Sequence, residues 1–269
     1  MRVLMTGAAG QIGRETRAQL KGRYELMRLT DIIDGEPAKA GEDFIRADLT
    51  DLAAMERMMA GIDCVVHLGG MSVEPKENQW EQVLSANIVG THNVFEAARR
   101  ANVGRVVFAS SHHAVGYHRR AHVLDGSALP RPDSFYGVSK VTGEALGRLY
   151  ADKFGMSVVS LRIGAFRPKP LDARHLSVWI SPRDMVELIR CSIEAPKLHY
   201  VVAYGMSANT RAFWDNRDAY VLGYRPQDNA EDYAEEVLTK GEPELEGAKP
   251  FHGGWYCGWY LGPHGLMID

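Results

Sequence analysis

The sequence predicts an α/β fold built on a parallel, doubly wound sheet. Two observations carry that reading. Short apolar or β-branched runs alternate with stretches of helical period from the start of the chain to about residue 164. Several of these runs, such as "CVVHL" at 64–68, are nearly all apolar, as strands covered on both faces must be. The 269 residues suffice for one large domain, or a domain with a small annex.

The elements follow in order. "RVLMT" (2–6) reads as a first strand, and Gly7, Gly10 and Gly13 lead into a helix-period stretch. "YELMRLTDI" is a second strand ending on Asp31, and "DFIRADLTD" a third stopping at Asp48. Asp51 is placed to cap the helix that carries "LAAMERMMA". "IDCVVHLGG" is the fourth strand, Trp80 to Ala101 a long helix, and "RVVFASS" the fifth strand. Tyr136 to Phe154 is helical again, followed by the strand "SVVSLRIG". After Gly164 the pattern loosens. "AFRPKPLDARHLSVWISPRD" contains three prolines and predicts a long loop, leading into a helix from near Pro182 with Asp184 in its first turn. "HYVVAYG" is one more short strand, and the aromatic- and glycine-rich remainder reads as a cap. Residues 1–164 are thus expected to form the main domain and 165–269 a small annex packed on it.

The composition excludes several function classes. An apolar content of 45% with 24% charged residues fits a soluble globular chain. A net charge of −3 gathers neither nucleic acid nor a membrane surface. The cysteines, Cys64, Cys191 and Cys257, are far apart, without the spacing of a zinc site or disulfide framework, so no metal is expected. No basic and apolar leader precedes the first strand, and no apolar run is long enough to span a bilayer; a cytoplasmic location is the expectation.

The glycines make GxxGxxG between a strand and a helix. Such a turn lets backbone approach a pyrophosphate at the positive helix end, or serves only close packing. The spacing differs by one residue from the GxGxxG dinucleotide fingerprint. Asp31 ends the second strand about 20 residues on, where an acid accepts hydrogen bonds from adenosine ribose hydroxyls and repels a 2′-phosphate, favouring NAD over NADP. Asp48 and Leu49 are placed to flank the adenine. "YGVSK" puts Tyr136 and Lys140 one helical turn apart, where an ammonium favours the phenolate over the phenol. Ser111, at the end of the fifth strand, supplies a hydroxyl beside them. Together these suggest a Rossmann-type fold with a Ser/Tyr/Lys proton-transfer set.

At these residues the chain resembles the extended short-chain dehydrogenase/reductase, or NAD-dependent epimerase/dehydratase, family. The resemblance runs from about Val3 to Asp228. It rests jointly on GxxGxxG, "HLGG" at 67–70, Asn87, Ser111 and Tyr136–Lys140. Within that family "HLGGMSVE", "FASSHHAVGY", "RIGAF", "DARHLSVWIS" and "GMSANTRAFWDN" are similar to segments of its uronate dehydrogenase branch, in the same order. The resemblance implies NAD-dependent oxidation of the ring form of glucuronate or galacturonate at the anomeric carbon, giving an aldarolactone. It also implies a homo-oligomer, built through the helices near 80–101 and 136–154. Cofactor contacts are implied along Gly7, Gly10, Gln11, Ile12 and Gly13, at Leu68, Gly69, Gly70 and Asn87, and at Tyr136, Lys140 and Ile163, the lysine also holding the nicotinamide ribose. Substrate contacts are implied at Ser72, Ser111, His112, His113, Ala165 and Arg174.

Arg174 suits that chemistry independently, since a guanidinium grips a carboxylate through two parallel hydrogen bonds. Arg162 is expected only to fix a loop or pair with an acid. Two positions depart from the family pattern: His112 stands where asparagine is usual and Ala165 where serine is usual. His112 is expected to gain charge near pH 6.5 and help hold an anion. These departures leave an NAD-dependent dehydrogenase of another sugar or sugar acid as one alternative. A sugar-nucleotide epimerase or dehydratase with retained NAD would use the same residues, but the short annex speaks against a nucleotide-sugar. A non-catalytic NAD-binding protein is weighed against by the intact Ser/Tyr/Lys set.

Overall fold

The computed structural model describes residues 1–72, 79–196, 198–240 and 248–258. Its main sheet has seven parallel strands: β1 (Arg2–Thr6), β2 (Leu26–Thr30), β3 (Glu42–Phe44), β4 (Cys64–His67), β5 (Arg105–Ser111), β6 (Ser157–Ile163) and, after two short strands named below, β9 (Tyr200–Gly205). They lie in the order β3-β2-β1-β4-β5-β6-β9. Alternation along β1 shows why both faces must be covered: Val3 and Met5 enter one core, Leu4 the other. The first core is closed by α1 (Gln11–Gln19) and by a later helix, α7 (Pro182–Glu194). The second is closed by α2 (Leu52–Met58), α4 (Gly90–Arg100) and α5 (Phe135–Phe154).

The caps follow from local chemistry. Asp51 accepts a 3.0 Å hydrogen bond from the Ala54 N–H at the start of α2, and Ser134 accepts one of 2.9 Å from Gly137 at the start of α5. Gly155 ends α5 in the left-handed conformation. The long helix read from Trp80 to Ala101 has three parts: α3 (Gln79–Val83), a π-helical turn (Leu84–Val89) and α4. An inserted residue of this kind re-aims one turn of side chains, here the turn carrying Asn87.

Beyond that helix, the structure differs from the sequence reading in three more places. The third strand is only 42–44, although Ile45 and Ala47 still donate to Leu29 and Asp31 carbonyls. The segment 165–184 is not wholly loop. β7 (Ala165–Phe166) pairs with β8 (Trp179–Ile180), and α6 (His175–Val178) lies between them. Finally, β9 pairs with β6 and α7 lies against α1, so part of 165–269 completes the main sheet and its helical cover. Of the remaining chain, α8 (Arg217–Val221) packs against β9, α9 (Ala234–Leu238) joins the Leu176 and Trp179 cluster beside α6, and α10 (Trp255–Gly258) lies against the segment after β5, Cys257 packing with Tyr117. Among the described residues no helix is long and apolar enough to cross a membrane. The end of the aromatic tail, from residue 259, lies outside the described residues.

Candidate active site

Strand order reverses between β1 and β4, and at the carboxyl ends of these strands lies a cleft of about 920 Å³. Gly7 has φ +69°, and a Cβ there would lie 2.7 Å from the Gly69 nitrogen, so the turns after β1 and β4 touch through backbone alone. A Cβ at Gly13 would fall 2.4 Å from the Gly7 carbonyl oxygen, which lets α1 start directly against the turn. Gly10 is the N-cap of α1 and gives no side-chain cap, so the first-turn N–H groups remain available to an anion. Asp31 is oriented by the same turn: its Oδ2 accepts from the Ala9 N–H at 2.9 Å and its Oδ1 from the Ile32 N–H at 2.8 Å. Those bonds leave lone pairs for ribose hydroxyls. The residues present therefore fit a dinucleotide.

All but one of the residues expected from the sequence line this cleft: Gly7, Gly10, Gln11, Ile12, Gly13, Asp31, Asp48, Leu49, Leu68, Gly69, Gly70, Ser72, Ser111, His112, His113, Tyr136, Lys140, Ile163, Ala165 and Arg174. The exception is Asn87. Its Oδ1 accepts from the Met71 N–H at 2.7 Å, while Nδ2 donates to the Met71 carbonyl and the Ser139 hydroxyl. Buried with its amide so engaged, Asn87 holds the Gly69–Met71 turn from behind and does not face the cleft.

At the centre are three side chains from two elements. Ser111 accepts from the His113 N–H at 3.2 Å, capping a short turn, and also hydrogen-bonds the Tyr136 hydroxyl. Burial pushes the Tyr136 phenol up to about 12, against the opposing pull of Ser111. Lys140 meets Tyr136 across its ring, so the electrostatic support expected of it acts through space. The Lys140 Nζ sits 5.3 Å from the Tyr136 ring centre and donates to the Ala109 carbonyl at 2.9 Å. Burial brings the Lys140 ammonium down to about 8.

His112 is buried with both ring nitrogens engaged: Nδ1 with the Ile163 carbonyl at 3.0 Å and Nε2 with Nη2 of Arg174 at 2.7 Å. Burial first, then His113 and Arg174, hold its pKa well below the ordinary value, so the expected charge near pH 6.5 does not arise. Arg174 also donates to the His252 carbonyl, at 3.1 and 3.3 Å, tying the substrate end to the C-terminal segment. Arg162, on β6, pairs with the buried Glu144 of α5 at 2.9 Å and ties that strand to the helix beneath the site, the pairing with an acid expected of it.

Other cleft residues were not foreseen. Tyr256, on α10, stacks on His113 at 3.9 Å between ring centres, and Arg167 and His175 also line the wall. Only the aromatic character of the C-terminal stretch hinted at Tyr256. Among the described residues no group of three or more His, Cys, Asp or Glu side chains is arranged to hold a metal ion.

Comparison with known proteins agrees with this geometry. The model of the NAD-dependent epimerase/dehydratase family matches residues 3–182. The chain is 41% identical to a uronate dehydrogenase of Pseudomonas putida, over 91% of each chain. It is 44% identical to one of Agrobacterium fabrum, over 90% of each. The crystal structure of a uronate dehydrogenase from Agrobacterium tumefaciens, a tyrosine-to-alanine mutant complexed with NAD, superposes with a TM-score of 0.89 at 42% identity, covering 95% of this chain and 96% of that one.

Proposed function

Since the chain belongs to the NAD-dependent epimerase/dehydratase family, we propose that it is an NAD-dependent dehydrogenase oxidising the anomeric carbon of a cyclic hexuronate to an aldarolactone. One observation carries this reading: the glycine turn, the Ser111–Tyr136 pair and Arg174 all line a single cleft. The high identity to uronate dehydrogenases along nearly the whole chain supports the substrate class.

Gly7–Gly13 with Asp31 would hold the cofactor's pyrophosphate and adenosine ribose, with Asp48 and Leu49 at the adenine end. When bound, oxidised NAD accepts the hydride from C1, so that with loss of the hydroxyl proton the C1–O bond becomes the lactone carbonyl. Tyr136 takes that proton at Oη, and Ser111 holds the same substrate oxygen in line with it. The ammonium of Lys140 favours the phenolate through space. Arg174 grips the carboxylate and so fixes which carbon faces the cofactor, an orientation effect. Ser72, His113 and Ala165 would meet the sugar ring. On this reading the substrate-binding annex is the part of 165–269 outside α7 and β9.

The protein would act as a cytoplasmic homo-oligomer. Trp80 and Phe135, exposed and in edge contact at 5.6 Å between ring centres, give α3 and α5 an apolar outer face suited to a second copy. Three buried free cysteines suit a reducing compartment.

The test is NADH absorbance on mixing the protein and NAD with glucuronate, galacturonate, the matching neutral sugars and glucose 6-phosphate. Turnover confined to the uronates supports the reading. Because Arg167 lines the cleft beside Arg174, preference for the phosphate dianion would redirect it, and turnover of neutral sugars alone would overturn it.

A further inference from the structure

Resting on that reading of the cleft, we propose that Asp133 is a positioning residue for the reaction. It fixes the ring proton of His113 on Nδ1, so that Nε2 meets the substrate as a hydrogen-bond acceptor. Asp133 precedes α5 and is fully buried, with its Oδ2 2.7 Å from the His113 Nδ1. Its Oδ1 accepts from the Ser134 hydroxyl at 2.8 Å. Two glycines make room for it. A Cβ at Gly116 would lie 1.8 Å from Asp133 Oδ2, and one at Gly253 would lie 1.9 Å from it. These glycines come from distant segments joined by a 2.8 Å bond from the Gly253 N–H to the Gly116 carbonyl. A carboxylate in such a place is poorly solvated, and burial raises its pKa to about 7. Beyond Ser134, its side-chain partner is a ring that lines the cleft and stacks between His112 at 4.1 Å and Tyr256 at 3.9 Å. With Nδ1 donating to the carboxylate, a neutral imidazole has its lone pair on Nε2.

The groups facing this pair are Arg174 just before α6, His112, Tyr136 on α5, Tyr117, and Tyr256 and Cys257 on α10. Arg174 favours the carboxylate, His112 is held neutral, and Tyr117, Tyr136 and Cys257 are raised above their ordinary values. One proton taken up by the pair near neutrality turns Nε2 from acceptor into donor, whichever of the two residues holds the proton between them. Acceptor function is thus present above that pH and lost below it.

The experiment is imidazole ¹⁵N NMR of the full chain with labelled histidine, the His113 signals being assigned by their loss in His113→Gln. At pH 8, a protonated Nδ1 and a bare Nε2 are expected, with Nε2 protonated by pH 6. In Asp133→Asn the amide oxygen keeps the place of Oδ1 on the Ser134 hydroxyl, so the amide nitrogen donates to Nδ1 and Nε2 carries the proton at both pH values. For the same variant, KM for glucuronate should rise about tenfold, as for one lost hydrogen bond, with kcat changed less than threefold. A protonated Nε2 at pH 8 in the parent, or an unchanged tautomer in Asp133→Asn, overturns the proposal. Should Asp133→Asn not fold, the parent spectra decide alone. The spectra need no turnover, so a failed uronate assay and a wrong tautomer are separate results.

Discussion

Nη2 of Arg174 donates to Nε2 of His112 across 2.7 Å. A guanidinium cannot accept, so Nε2 must be the bare nitrogen and Nδ1 must carry the proton given to the Ile163 carbonyl. His112 therefore orients Arg174, the carboxylate grip of the proposed function, and does so without charge. Replacing it with alanine leaves Arg174 without that acceptor. KM for glucuronate should rise about tenfold, the effect of one charge-assisted bond, with kcat little changed. Because burial keeps the ring neutral, His112→Asn should leave the shape of the KM–pH profile between pH 5.5 and 8 unaltered. A limb near pH 6.5 that vanishes in this variant would contradict the tautomer assigned here.

Tyr136 and Lys140 pull toward different pH limits. The phenol is raised to about 12 and the ammonium lowered to about 8, both by burial. Support from the ammonium is present below about pH 8 and lost above it as the amine deprotonates. The parent's kcat/KM should therefore bend downward on the alkaline side, and Lys140→Met should lose that limb while falling overall. Tyr136→Phe should lower kcat by about 10²–10⁴-fold, the usual range for a positioned proton acceptor. NADH fluorescence titration should give unchanged cofactor affinity in Tyr136→Phe.

The cofactor half of this site was legible because its parts are local or regularly spaced. A glycine turn, a strand-end aspartate and an i,i+4 tyrosine–lysine pair each leave a mark within one short window. The substrate half was less so. Asp133 looks like an ordinary residue ahead of a helix cap, and its meaning depends on Gly116 and Gly253 meeting across the fold. Tyr256 arrives because His252 donates to the His118 carbonyl at 2.9 Å and Phe251 bridges Arg119, pairings without periodic signature. Asn87, implied as a cofactor contact by the resemblance, sits on a π-helical turn that helical spacing does not reveal, with its amide engaged by Met71 and Ser139. The charge expected on His112 failed for a related reason: burial and an arginine neighbour are tertiary facts.

On the proposed function, Asp31 decides between the two nicotinamide cofactors. Its oxygens already hold the Ala9 and Ile32 N–H groups, so the carboxylate is fixed where a 2′-phosphate would meet negative charge. Asp31→Ser should raise KM for NAD about 10- to 100-fold, since hydrogen bonds to a charged group are lost. It should also bring measurable activity with NADP. Steady-state assays with both cofactors check this, and an unchanged NAD preference would mean that Asp31 only orders the turn.

Ala165 begins β7 and is half-buried on the cleft wall, in register with Trp179. A methyl group there neither donates to nor accepts from a sugar, whereas a hydroxyl built into a site discriminates by leaving unpaired groups when the wrong substrate binds. Ala165→Ser adds that hydroxyl at little steric cost. It should raise kcat/KM for the preferred uronate about tenfold, the effect of one hydrogen bond of about 1.4 kcal/mol, while leaving the neutral sugar's value within twofold. Parallel assays on glucuronate, galacturonate and glucose, before and after the substitution, measure it. An equal gain on all three would mean that the new hydroxyl meets a ring position common to them. No gain on any would place the sugar out of reach of β7, leaving Arg174 as the main determinant of substrate class.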